Sequence, residues 1–123
     1  MGQAGPFKPI ALVVEDDVWQ RQMAVVLLEE CEMGVIECES AEAALRALEK
    51  MGERVSVIFT DVGLASKIDG VELAHFARQH YPHIHVIVTS GLALTKSLPE
   101  GATFMPKPWL PLNVLRKAQR SQH

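Results

Sequence analysis

Long hydrophobic runs are missing from this 123-residue sequence. No apolar stretch approaches the roughly 20 residues a helix needs to cross a bilayer, so a membrane-spanning chain is not expected. The opening, Met1 to Pro9, lacks the charged-then-apolar order of a secretory signal. Cysteine is scarce as well. Cys31 and Cys38 lie seven apart, with no CxxC and no matching pair of histidines. That speaks against a zinc site or a disulfide framework and for two reduced, buried thiols. Basic residues are outnumbered, 12 Lys and Arg against 15 Asp and Glu, for a net charge of −3. A dense basic face tracking a nucleic-acid backbone is therefore not expected. Internal repeats and linker-like stretches are absent too. What is left is a mildly acidic, cytoplasmic chain, 48% hydrophobic, with the length of one domain and a real core.

The apolar runs that are present are short and regularly spaced. After a lead over residues 1–9, Ile10 to Val14 is apolar throughout and ends at Glu15-Asp16-Asp17, the pattern of a strand buried on both faces. Trp19, Met23, Val26, Leu27 and Glu30 recur at helical spacing until Gly34. This predicts a helix of about four turns, with Asp17 as its cap and Trp19 partly buried. Val35 to Cys38 suits a second strand. Ser40 is placed to cap a helix carrying Ala44, Leu45, Leu48 and Met51 and ending at Gly52. Val55 to Thr60 is a β-branched strand that delivers Asp61. Asp69 with Glu72 three later forms a capping-box pattern for a helix built on Leu73, Ala74, Ala77 and Tyr81 and ended by Pro82. Val86 to Thr89 reads as the fourth strand and Ala102 to Met105 as the fifth. Between them, Leu92 to Gly101 contains Pro99 and leaves little room for a full helix. Leu112, Leu115 and Ala118 mark a last amphipathic helix. Strands alternating with helices predict a doubly wound α/β fold with a five-stranded parallel sheet. In such folds the ligand site lies outside the carboxyl ends of the strands.

Five polar side chains fall at those ends. Glu15 and Asp16 follow the first strand, Asp61 follows the third, Thr89 ends the fourth and Lys107 follows the fifth. Taken singly, a carboxylate there is more often a cap or a solvated turn residue, and a lone lysine is nearly always surface. Their shared placement outweighs that. Three converging carboxylates repel, and hold protons unless a cation compensates. A hard divalent ion such as magnesium or manganese, which takes one or two carboxylates plus a phosphate oxygen, is the natural partner. Lys107 adds a positive charge and Thr89 a hydroxyl. Together these make a phosphoryl site with a carboxylate as nucleophile.

The segments LVVEDD at 12–17, TD at 60–61, DGVELA at 69–74, VIVTSG at 86–91 and FMPKPW at 104–109 resemble the successive motifs of response-regulator receiver domains of two-component systems. The resemblance spans about residues 10–120 and implies a flavodoxin-like sheet of strand order 2-1-3-4-5. It implies Asp61 as phosphoacceptor and Asp16 as a direct magnesium ligand, with Glu15 assisting through water. Asp61 and the backbone carbonyl of Gly63 complete the ligands. Lys107 would pair with phosphoryl oxygens, and Thr89 would bind another on activation. Phe104 would be the aromatic that rotates with Thr89, and the Lys107–Pro108 peptide would be cis. The implied phosphodonor is a sensor histidine kinase or a histidine phosphotransfer protein, docking around the first helix and the loops about Asp61. The implied output is contact with a further protein, with no output segment after the domain. Apart from accepting and slowly losing the phosphoryl group, no enzyme activity is expected.

The sequence departs from the family at three places. The stretch from Asp61 to Gly70 is slightly long and carries Ala65 where proline is usual. The stretch from Thr89 to Lys107 is short, which predicts a fourth helix reduced to a turn or an irregular loop. The family's usual dimer face is accordingly not carried over. Gly63 and Gly91 stand where side chains often tune phosphoryl lifetime, and are expected to leave the group open to water. Among alternatives, a phosphorylation-independent pseudo-receiver usually lacks the Asp or the Lys, and both are present. A flavin site wants a Gly/Ser/Thr-rich loop where Glu15-Asp16-Asp17 stands, and a haloacid-type phosphatase wants a DxD there and a cap. His80, His83 and His85 read as surface histidines rather than a metal site. Trp109 is expected to pack beside the site. Arg116, Lys117 and Arg120 read as the solvated end of the last helix, favoured by its dipole.

Overall fold

The short apolar runs become strands in the computed structural model, which describes residues 8–64, 66–108 and 111–120. Along the chain these are β1 (Ile10–Val14), α1 (Val18–Glu30), β2 (Gly34–Cys38), α2 (Ala41–Met51), a 3-10 turn (Gly52–Arg54), β3 (Val55–Asp61), α3 (Gly70–His80), β4 (His85–Ser90), β5 (Thr103–Pro106) and α4 (Pro111–Arg120). All neighbouring strands are parallel, in the order β2-β1-β3-β4-β5. This is the doubly wound, flavodoxin-like sheet expected. The lead up to residue 7, Ala65 and Trp109 lie outside the described residues, as do the side chains of Leu112 and Arg120.

Side chains alternate between the two faces of each strand, and that alternation splits the core in two. Leu12, Val14, Ile58, Val86 and Val88 meet Ala44 and Leu48 of α2 and Leu73 and Ala77 of α3. Ala11, Val13, Val57, Phe59, Ile87 and Met105 meet Ala24, Val25 and Leu28 of α1 and Val114 and Ala118 of α4. Each fully buried Leu, Ile or Val removes enough apolar surface from water to contribute about 1.5–3 kcal/mol. The helix starts are fixed by side chains. Asp17 accepts from Gln20 N at 2.9 Å and Ser40 from Ala43 N at 3.1 Å. At α3 the capping box closes in both directions: Glu72 N donates to Asp69 Oδ1 at 2.8 Å and Asp69 N to Glu72 Oε1 at 3.1 Å.

Two findings refine the sequence reading. The helix-period stripe of Trp19, Met23 and Val26 is not the buried face of α1. Ala24, Val25 and Leu28 are buried instead, and Trp19 is 81% exposed, where partial burial was expected. The helix is apolar around most of its girth, so periodicity marks two stripes. The sheet takes the one containing Ala24, whose small side chain lets the helix axis come close. The second concerns β4 to β5. Among the described residues, 91–101 form only bends and a turn, the irregular loop expected in place of a fourth helix there. The segment is tethered to α3 by Lys96 Nζ to Asp69 Oδ2 at 2.7 Å, His75 Nε2 to Ser97 O at 2.8 Å and Arg78 Nε to Glu100 O at 3.2 Å.

The remaining polar features are structural. His83 bonds Gly52 O at 3.0 Å, His85 bonds Thr103 Oγ1 at 2.8 Å, and the His80 ring lies 4.3 Å from that of Phe76. The three histidines therefore serve separate contacts. Cys31 and Cys38 are buried and form no disulfide, and burial pushes the Cys38 thiol up to about 11.

Candidate functional site

The alternation that builds the core also gathers the polar groups. Val13, Phe59, Ile87 and Met105 all face α1 and α4. Two residues further along each strand, on the same face, stand Glu15, Asp61, Thr89 and Lys107. Parallel strands end together, so these four arrive side by side at the carboxyl edge of the sheet.

Asp61 Oδ1 lies 2.9 Å from Lys107 Nζ, the two side chains being 12% and 20% exposed. The ammonium is also 3.4 Å from Glu15 Oε1. Glu15 itself is buried. Its backbone N–H donates to Cys38 O at 3.0 Å, its Oε2 accepts from Asp17 N at 3.0 Å, and its carbonyl accepts from Arg21 Nη1 at 2.9 Å. Glu15, Asp16 and Asp61 each bring one carboxylate oxygen to within 4.8 Å of the others. Thr89 stands in register beside Asp61, almost fully buried, and its carbonyl accepts from Val62 N at 2.9 Å. Ser90 O accepts from Lys107 N at 2.8 Å, and the Lys107–Pro108 peptide is cis.

The charges are unbalanced. Burial pushes the Glu15 carboxyl above its ordinary value, and the neighbouring Asp16 and Asp61 push it further, against the opposing pull of the Asp17 N–H and Lys107. Burial also disfavours the charge on Lys107, but its hydrogen bond to Asp61 and the two facing carboxylates outweigh this and raise it. The lysine is thus held as an ammonium among more negative charge than it neutralises. The surplus, offered by hard oxygen donors, suits a divalent cation such as magnesium.

Glycines shape the approach to Asp61. A Cβ on Gly70 would lie 2.1 Å from the Asp61 carbonyl oxygen, so only glycine fits that crossing. A Cβ on Gly63 would be 3.6 Å from Asp61 Oδ2, and one on Gly91 would meet nothing within 4 Å. The structure therefore brings Glu15, Asp16, Asp61, Thr89 and Lys107 together, with Gly63 alongside. Phe104 is not among them. It is half-buried in register with Val88, which faces α2 and α3. Two contributors left no mark that the sequence reading used. Ser90 acts through its carbonyl, and Arg21 through a bond to another main-chain carbonyl.

The sequence profile of the response regulator receiver domain matches residues 11–111. The chain belongs to this family. It is 33% identical over 103 residues to sensor kinase CckA of Brucella abortus, an alignment covering 80% of this chain and 11% of that protein. The chain thus spans about a tenth of the length of that curated relative. Among solved structures, it is similar to the CheY-like response regulator receiver domain protein of Methanospirillum hungatei, with a TM-score of 0.79 at 25% identity, covering 94% of this chain and 97% of that one. It is also similar to the receiver domain of hybrid histidine kinase CckA, with a TM-score of 0.79 at 27% identity over 93% and 99% of the two chains. Receiver domains are the signalling switches of two-component systems. No helix among the described residues is long and apolar enough to cross a membrane.

Proposed function

We propose that Asp61 accepts a phosphoryl group from a phosphohistidine, carried by a sensor histidine kinase or a histidine phosphotransfer protein, and that the modified chain signals by protein contact. The observation that carries this reading is the Asp61 carboxylate held 2.9 Å from the Lys107 ammonium, inside a surplus of carboxylate charge. The donor set fits magnesium or manganese. Both Glu15 oxygens already have partners in Asp17 N and Lys107. By the family resemblance, Asp16 and Asp61 would be direct ligands, joined by the Gly63 carbonyl, with Glu15 acting through water. Bound there, the ion would neutralise charge on the phosphoryl oxygens.

In the transfer, an Asp61 carboxylate oxygen bonds to phosphorus as the phosphorus–nitrogen bond of phosphohistidine breaks. The imidazole leaves with the electron pair. Lys107 then pairs with a phosphoryl oxygen, and the Thr89 hydroxyl turns to donate to another. That turn changes the packing at the ends of β4 and β5, and the family resemblance makes Phe104, although on the opposite face of the sheet, the aromatic that moves with it. The phosphohistidine partner docks over α1, whose exposed Trp19, Met23 and Val26 form an apolar stripe. Beside it, a cavity of about 480 Å³ lined by Gln20, Met23, Gly91, Lys107 and Pro108 leads to the site. The reading places the chain in the cytoplasm and gives it no catalysis beyond slow loss of its own phosphoryl group.

Incubation with labelled acetyl phosphate, with and without Mg2+, tests this. Labelling is expected only with the metal and is abolished by Asp61→Asn. A label surviving in that variant moves the site elsewhere. A wild type that never labels favours an interaction module independent of phosphorylation.

A further inference from the structure

Arg21, in the first turns of α1, is charged yet nearly enclosed, its side chain 14% exposed. Its guanidinium works in two directions at once. Nη1 donates to the Glu15 carbonyl at 2.9 Å, and Nε donates to Glu37 Oε1 of edge strand β2 at 3.0 Å. The same Glu37 oxygen accepts from Gln22 Nε2 at 2.6 Å, so the acceptor is itself held. The planar fork of a guanidinium fixes the angle between its two bonds. Arg21 therefore ties the turn after β1 to β2 by a rigid strut.

The carbonyl at the end of that strut belongs to a critical peptide. The Glu15 carbonyl and the Asp16 N–H share one plane, so holding the carbonyl orients the base from which Asp16 projects. We propose that Arg21 is a positioning residue for the metal-binding turn, acting on Asp16 through the Glu15–Asp16 peptide without touching the ion. This rests on the reading that the turn binds a divalent cation.

Electrostatics and positioning predict opposite signs here. A guanidinium beside a dication site repels the ion, so if its charge were all that mattered, removing it would tighten Mg2+ binding. If Arg21 positions Asp16, removing it weakens binding. Partners one step behind a metal ligand are worth about 10- to 100-fold in affinity, and a bond to the main chain belongs at the lower end.

The experiment is a titration of the 15N-labelled protein with MgCl2 alone, following amide shifts around Asp16 and Asp61. Thermal unfolding in EDTA serves as the reading of the scaffold. Arg21→Ala is expected to weaken the Mg2+ midpoint about tenfold while keeping a cooperative melt. Arg21→Lys, with the charge kept and the fork lost, is expected to fall between Arg21→Ala and wild type. An Arg21→Ala midpoint equal to or tighter than wild type overturns the proposal, as does a drop in EDTA stability with unchanged metal binding. Should Arg21→Ala fail to fold, an unchanged midpoint in Arg21→Lys overturns it equally. A wild type that does not respond to Mg2+ fells the metal reading along with this one. A responsive wild type with unchanged variants fells this one alone.

Discussion

On the β1 and β3 side of the rim, Glu15 is held through its N–H, its carbonyl and both carboxylate oxygens, and Asp61 is pinned by Lys107 and packed against Gly70. On the β4 and β5 side, the chain leaves Ser90 through Gly91 into residues 91–101, which form no helix and place Leu92 81% exposed. The first side must hold like charges close together, so its groups are fixed from several directions. The second carries the hydroxyl of Thr89 and the path to the surface, and is anchored mainly at its far end on α3. Fixed charge beside a loosely built exit is the division a switch requires, since the moving element must come from the less stable part of the fold.

The comparison breaks most sharply at Gly70. Gly70→Ala forces a Cβ against the Asp61 carbonyl, and a clash with main chain rather than a flexible side chain is expected to cost about 3 kcal/mol. Urea denaturation measures it, and a cost below about 1 kcal/mol would show that the fixed side yields after all. Next comes Glu15→Gln in metal-free buffer. The folded state raises the Glu15 carboxyl above its ordinary 4.5, so it holds the proton more tightly than the unfolded chain does. That contribution to stability is complete below the unfolded value and is lost as pH rises through the folded one. The variant is therefore expected to melt a few degrees above wild type at pH 7, the gap closing below pH 4.5. Thermal melts across that range check the sign, and a gap that widens toward acid contradicts it. The smallest effect on stability is expected at Gly91. Gly91→Arg meets no neighbour at Cβ, so the fold should change by less than about 0.5 kcal/mol. The dephosphorylation rate should nevertheless shift, because the new side chain stands over an approach now open to water. An unchanged rate in a single-turnover decay assay would show that Gly91 does not govern the access of water.

Much of this was legible in the residues, and what was hidden has physical reasons. Strands such as Ile10–Val14 end where charge begins, so burial on both faces writes their limits directly. Asp69 and Glu72 announce α3 because capping uses side chains of few types at fixed spacing. The five polar groups of the rim follow from one topological rule about where parallel strands end. The buried face of α1 was misread because both of its stripes are apolar, and only the distance to the sheet chooses between them. Phe104 lies on the opposite face from Thr89, a parity that emerges only when the β4–β5 register is known. Arg21 and Ser90 stayed hidden for another reason. Their contacts involve main-chain carbonyls, which every residue possesses, so no residue type marks the acceptor.

The loop between Asp61 and α3 is closed at its base, where Val62 O accepts from both Leu64 N at 3.0 Å and Gly70 N at 3.1 Å. A loop clasped at its neck can gain or lose residues at its tip while the neck stays where it was. The tip of the stretch before Gly70 is thus expected to tolerate an insertion, and a tag or a reporter peptide could be grafted there without moving Asp61.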